Sequence, residues 1–166
     1  MKTQKRRKME CKTDYLKRLI LLKSEKPRIV FRKTNMYIIG QYIESEAAQD
    51  KIIFGVTSKM LFKYGWPEKL YGSLKSIPAS YLTGYLVAKK ILKDKLKEPI
   101  VDLGMQRVIK KTKIFAFIKG LIDGGIKIKC GKENFPEVER LSGKSTKEDI
   151  SKIVQEVKSK IDKLSW

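Results

Sequence analysis

Acidic residues are missing from long stretches of this chain, and their absence limits what it can fold into. Residues 1–26 carry ten basic and three acidic side chains, residues 27–43 three basic and none acidic, and residues 103–119 five basic and none acidic. These stretches hold +15 of a formal net charge of +20. A compact fold with such an excess repels itself unless a polyanion neutralises it. Nucleic acid is the expected partner, because each neutralised phosphate releases a condensed counterion. An anionic membrane surface is the rival, but no segment reaches the ~18 apolar residues of a membrane span, and the charged start lacks the apolar run of a secretory signal.

The rest of the composition narrows the chemistry. With 166 residues, 42% of them hydrophobic, the chain has enough apolar material for one domain with a real core. It contains no histidine, which removes His-based triads, His general bases and the usual zinc sites. Cys11 and Cys130 have no Cys-x-x-Cys neighbour and fit reduced thiols in a cytosolic protein.

The order of elements follows from periodicity. Residues 1–12 have no apolar period and read as an arm that is disordered until it meets RNA. Thr13 or Asp14 opens a short helix to residue 22, with Leu16, Leu19, Ile20 and Lys23 at helical spacing. Pro27 stops it. Three strands follow. In the first, over 28–33, Ile29 and Phe31 share one face, and Arg28 and Arg32 the other. Thr34-Asn35 forms a tight turn, the second strand spans 36–44 and the third 52–58. After an irregular connection over 59–77, Pro78 starts a helix to about residue 97. Tyr81, Tyr85, Ala88, Leu92 and Leu96 line one face of it, with Lys89, Lys93 and Lys97 beside them.

A strand over 100–103, a basic loop over 105–111 and a helix from Lys113 to Gly124-Gly125 come next. A last strand is expected over 126–128. This βββαβαβ order predicts one α/β domain with a mixed sheet, an antiparallel meander followed by crossovers that add parallel strands. The expected division is a basic arm and short helix over 1–26, an α/β core over 27–130 and an extension over 131–166. In that extension Ser145-Thr146-Lys147-Glu148 forms a capping box. Ile150, Ile153, Val154, Val157, Ile161 and Leu164 then mark an amphipathic helix. Five Lys stand against four acids over 147–164, which argues against RNA as its main contact. Its apolar stripe must be buried either on the chain's own α/β core or on a neighbouring ribosomal protein, and the neighbour is expected because the earlier elements already complete a core.

By this point ordered blocks resemble a known family. Arg6-Arg7-Lys8, Lys12-Thr13-Asp14-Tyr15 and Lys26-Pro27-Arg28-Ile29-Val30 are similar to the opening of universal large-subunit ribosomal protein eighteen, in its archaeal and eukaryotic form. Arg32-Lys33-Thr34-Asn35, Lys63-Tyr64-Gly65-Trp66, Ala79-Ser80-Tyr81-Leu82-Thr83-Gly84, Asp102-Leu103-Gly104 and Phe115-Ala116-Phe117-Ile118-Lys119-Gly120 resemble its later blocks. The resemblance spans about residues 5–145. It implies a ribonuclease-H-like mixed sheet and binding to 5S rRNA in the central protuberance, with large-subunit rRNA and universal large-subunit protein five as neighbours. Gly72-Ser73-Leu74-Lys75-Ser76-Ile77 departs from the family's Gly-Asn-rich turn.

Three elements are candidates for RNA contact. The arm offers Lys5, Arg6, Arg7, Lys8 and Lys12, and the helix after it adds Arg18; guanidinium groups fork two phosphate oxygens at once. The polar face of the first strands offers Arg28, Arg32, Lys33 and Asn35 to backbone, and Tyr37 to an unpaired base. The basic loop offers Arg107, Lys110, Lys111 and Lys113 at the start of a helix, where free N–H groups also favour a phosphate. A two-metal nuclease on such a sheet needs converging carboxylates. The first strand has none and Asp102 stands alone, so no catalytic site, metal or cofactor is expected. The other rival is a DNA-binding protein, or another basic RNA-binding or ribosome-assembly protein of similar charge; no recognition-helix or zinc-finger pattern supports a duplex-DNA reader.

Overall fold

The computed structural model describes residues 3–46, 49–144 and 150–163. Its centre is a four-stranded sheet in the order β3-β2-β1-β4. β1 (Arg28–Lys33), β2 (Ile38–Glu46) and β3 (Gln49–Thr57) run antiparallel in sequence order. β4 (Ile100–Asp102) lies parallel to β1 on its other side. The sheet is therefore mixed. The β1–β2 connection is longer than the two-residue turn expected: the Thr34 hydroxyl donates to the Tyr37 carbonyl at 2.7 Å, and the Tyr37 N–H returns to that hydroxyl at 2.9 Å.

Strand alternation gives the sheet two different faces. Ile29, Phe31, Ile38, Tyr42, Phe54 and Val56 point to one side and are buried. There they meet α3 (Ile77–Lys93) and α4 (Lys113–Asp123), with the Phe31 and Phe117 rings 5.0 Å apart. α3 starts where the Ser76 hydroxyl accepts the Ala79 N–H and Pro78 occupies the first turn. Every residue of α3 from Pro78 to Ala88 is buried, not one face alone, because further helices cover the side away from the sheet. It ends at Lys93, four residues before the expected point. Lys95 turns left-handed, and the Tyr42 hydroxyl then reaches the Lys97 carbonyl at 3.0 Å. Leu92 is left exposed.

α3 and α4 touch backbone to backbone. A Cβ on Gly84 would lie 2.2 Å from the Phe117 carbonyl oxygen, and one on Gly120 2.1 Å from that of Tyr81. Any side chain at either glycine would push the helices apart. α4 ends at Gly124 and the left-handed Gly125, as its sequence predicts. The strand expected over 126–128 does not form. The Ile126 N–H closes the helix onto the Leu121 carbonyl, and Ile126 enters the core without pairing to a strand. The long connection after β3 contains two 3₁₀ helices, Ser58–Tyr64 and Glu68–Ser73.

Both termini differ from expectation. The arm holds one helical turn, α1 (Arg6–Met9), with no buried residue. α2 (Tyr15–Lys23) begins as predicted, with the Asp14 carboxylate accepting from the Leu16 and Lys17 N–H groups. The helical spacing of Leu16, Leu19 and Ile20 does not mark its docking side. These three are exposed, while Arg18, Leu21 and Leu22 on the other side are half-buried.

Past α5 (Val138–Ser142), α6 (Ser151–Asp162) packs on this chain's own core, not on a neighbour. Ile150, Val154, Val157 and Ile161 are buried there. The Tyr85 hydroxyl donates to Asp162 at 2.5 Å, and Lys158 donates to the Tyr81 hydroxyl at 3.0 Å. The polar tips of the α3 tyrosines give α6 a specific seat, which helical periodicity cannot reveal. The expected capping box and Leu164 lie outside the described residues.

Candidate nucleic-acid interface

Arg28, read from sequence as an outward contact, is 2% exposed. Its guanidinium donates to Asp102 at 3.1 Å, to Asp50 at 2.7 Å and to the Ser45 hydroxyl at 2.9 Å. A buried cation needs such compensation, and these bonds commit it to the protein. Asp50 also binds Arg18 at 2.9 Å, fastening α2 to the sheet. Burial opposes ionisation of Asp50, but hydrogen bonds from Ser45 and Arg18 and the nearby arginine charges hold its carboxyl below the usual range. Arg18 and Arg28 thus serve a structural ion network, and Asp102 belongs to it rather than to any metal site. Among the described residues no group of three or more possible ligands could hold a metal.

Of the other expected cations, Arg7, Lys12 and Arg32 line one concavity and Lys33, Arg107, Lys111 and Lys113 another. The first is small, about 90 Å³, and lies between the arm, α2 and the turn after β4. Arg7, Lys12 and Arg32 reach it together with Lys17, and Asp14 and Asp102 also line it. The Arg32 guanidinium donates to the Phe31 carbonyl at 3.1 Å and lies over Gly104. Within the arm, Arg6 and Lys12 each pair with Glu10 at 2.8 Å, and these bonds hold the Glu10 carboxyl below its usual range. The Arg7 Nε–H donates to Thr13 at 2.9 Å. Lys5 lies over the Tyr15 ring at 4.6 Å, and Lys8 is exposed.

The second concavity is larger, about 500 Å³, and opens at the start of α4. Lys33, Arg107, Lys111, Lys113 and Arg140 supply its charge. Arg32 and Lys33 are neighbours in sequence but enter different sites, because successive strand side chains point to opposite faces. Burial, then the nearby Lys33 and Lys75 charges, pull the Lys113 ammonium below its usual pKa. Such mutual repulsion is what an anion at this point would relieve. Lys111 binds Glu137 at 3.1 Å, and Lys110 stands outside, paired with Glu133 at 3.5 Å. Asn35 is exposed at the β1–β2 turn, and Tyr37 beside it is half-buried with the Lys59 ammonium 4.8 Å from its ring centre.

Sequence reasoning missed Arg140, Lys59 and Lys75. Arg140 sits among Glu137 and Glu139, so no local charge excess marked it; only the fold of α5 brings it to Lys33 and Arg107.

The mixed sheet, the helical layer and the two cation-lined concavities define a strongly basic α/β protein. Comparison with known proteins narrows this. Residues 1–99 match the family model described as ribosomal large subunit proteins 60S L5 and 50S L18. The large ribosomal subunit protein uL18 of Korarchaeum cryptofilum is 43% identical over 155 residues, covering 93% of this chain and 77% of that protein. The uL18 of Thermofilum pendens is 38% identical over 161 residues, 97% of this chain and 80% of that protein. The uL18 of Methanoregula boonei is 37% identical over 164 residues, 95% of this chain and 92% of that protein. The chain belongs to the uL18 family of large-subunit ribosomal proteins, which are structural proteins and not enzymes.

Proposed function

We propose that this protein is a structural constituent of the large ribosomal subunit in the cytoplasm, that it binds 5S rRNA, and that it helps attach it to large-subunit rRNA in the central protuberance. The observation that carries the reading is the pair of cationic concavities reached from opposite faces of one strand, through Arg32 and Lys33. An RNA backbone that follows both would neutralise charges the fold leaves without enough carboxylates. The four-strand order, with a meander and a parallel β4, supports a ribonuclease-H-like type. Lys5, Arg6, Arg7, Lys8 and Lys12 of the arm, Arg32, and Arg107, Lys110, Lys111 and Lys113 of the loop are the contacts favoured, with Lys33, Asn35 and Tyr37 between them. The exposed Leu16, Leu19 and Ile20 of α2 face a protein neighbour in this reading, with universal protein five the one the family suggests.

The experiment is competition binding at physiological salt with 5S rRNA, tRNA and duplex DNA. A clear preference for 5S rRNA is expected. Equal affinity for all three would leave a basic protein without the proposed specificity.

A further inference from the structure

The concavity at the start of α4 is more than a patch of charge. Its volume, about 500 Å³, lies within the ~300–1,000 Å³ of sites that enclose small molecules. One part of its wall is apolar, made by Ile77, Ile109 and Ile114. The rest carries cations from β1, the 105–111 loop, α4 and α5. Among the described residues no carboxylate is bonded to Lys33, Arg107, Lys113 or Arg140. Two neutral polar groups complete the lining. The Gln106 side-chain N–H donates to the Phe31 carbonyl at 3.0 Å, leaving its amide oxygen as an acceptor. The Thr112 hydroxyl donates to the Ile109 carbonyl at 2.7 Å, leaving its lone pairs free.

A phosphate alone has no use for the isoleucines, and an apolar ligand none for the cations. An unpaired nucleotide has both parts: a flat base with a hydrogen-bonding edge, and phosphates on either side. We propose that this concavity holds one unpaired nucleotide of the bound RNA, its base against Ile77, Ile109 and Ile114 and its phosphates on Lys33, Arg107, Lys113 and Arg140. The acceptors on Gln106 and Thr112 favour a base with an amino edge, such as adenine. Recognition of RNA by bases splayed out of the helix gives this site a role in specificity, whereas phosphate contacts only position the chain. The inference rests on the RNA-binding reading above and adds a base-sized pocket to it.

The test uses the full chain with its isoleucine methyl groups labelled for NMR. The probes are single-stranded hexaadenylate, the same hexamer with abasic sugars, and inorganic phosphate. Hexaadenylate is expected to shift the Ile77, Ile109 and Ile114 methyl signals saturably, and the other two probes to leave them in place. Equal shifts with the abasic hexamer would make the site a phosphate cradle and overturn the proposal. So would no shift with hexaadenylate. Arg140→Gln, on an exposed side chain, should weaken hexaadenylate binding about tenfold, the loss of a forked phosphate contact, at an unchanged melting temperature. Arg107→Gln provides the same measurement from another element, and unchanged affinity in both variants would also overturn the proposal. These readouts do not depend on any preference for 5S rRNA, so failure of the proposed function and failure of the pocket are separately visible.

Discussion

Arg28 on β1 and Asp102 at the end of β4 meet 3.1 Å apart inside the protein, across the parallel strand pair. The pair joins the strand that follows the crossover to the strand that precedes it. Replacing Arg28 with Met removes the cation and leaves Asp102 and Asp50 facing each other without it. Breaking a buried pair from one side costs ~3–5 kcal/mol. Arg28→Met is therefore expected to lower stability by about 3 kcal/mol in urea denaturation. RNA affinity of the folded fraction should stay the same, because the side chain is not available to RNA. A variant of normal stability with weakened RNA binding would return Arg28 to the interface.

Gly84→Ala tests the contact of α3 with α4. The new methyl would sit 2.2 Å from the Phe117 carbonyl oxygen, and backbone cannot yield as a side chain can. A loss of about 3 kcal/mol is expected, at the upper end for overpacking. A thermal melt within a degree of wild type would show that the helices have room to separate.

Ile161→Ala tests whether α6 belongs to the core. Ile161 is 1% exposed, and truncating a buried isoleucine costs ~2–5 kcal/mol. We expect about 3 kcal/mol in the isolated protein, measured by chemical denaturation. A helix that needed a neighbouring protein to bury it would show almost no effect.

Acid should loosen the same helix. Burial of Asp162 opposes its ionisation, but hydrogen bonds from Lys89 and Tyr85 outweigh this and hold its carboxyl below the usual range. A carboxyl depressed in the native state stabilises it fully above the unfolded value of ~3.9 and loses that effect as pH falls through the native value. The melting temperature of wild type should exceed that of Asp162→Asn near neutral pH, and the gap should close as pH drops below the ordinary aspartate range. A gap that is constant with pH would place the effect in packing rather than in charge.

The arm can be removed without touching the core. Deleting residues 1–12 should leave the melting temperature unchanged, since α1 buries nothing. The dependence of 5S rRNA affinity on salt should become shallower by up to ~0.7–0.9 per lost phosphate contact. An unchanged slope would place the arm outside the interface.

Much of this fold was legible because its signals are local. Alternation marked β1, Pro78 marked the start of α3, and Gly124-Gly125 marked the end of α4. The basic loop before Lys113 likewise announced itself by charge. The strand expected over 126–128 failed because a strand exists only when another lies beside it, and a short apolar run carries no record of a partner. The docking side of α2 was not legible for a related reason. Its apolar residues occupy more than one side, and the ion pair of Arg18 with Asp50, 32 positions away, selects the side that docks.

The sequence by itself determined the charge, the class of partner, the α/β class and the family, since each depends on composition or on residues close together in the chain. Tertiary structure alone decided which cations remain available. It buried Arg28 against Asp102 and Asp50, set Arg32 beside Gly104 and Lys33 beside the start of α4, and carried Arg140 from an evenly charged segment to the same place. It also placed α6 on the tyrosines of α3. A cation buried among carboxylates is committed to the protein, whereas one at the surface stays accessible, and that distinction depends on distances in space that sequence separation does not encode.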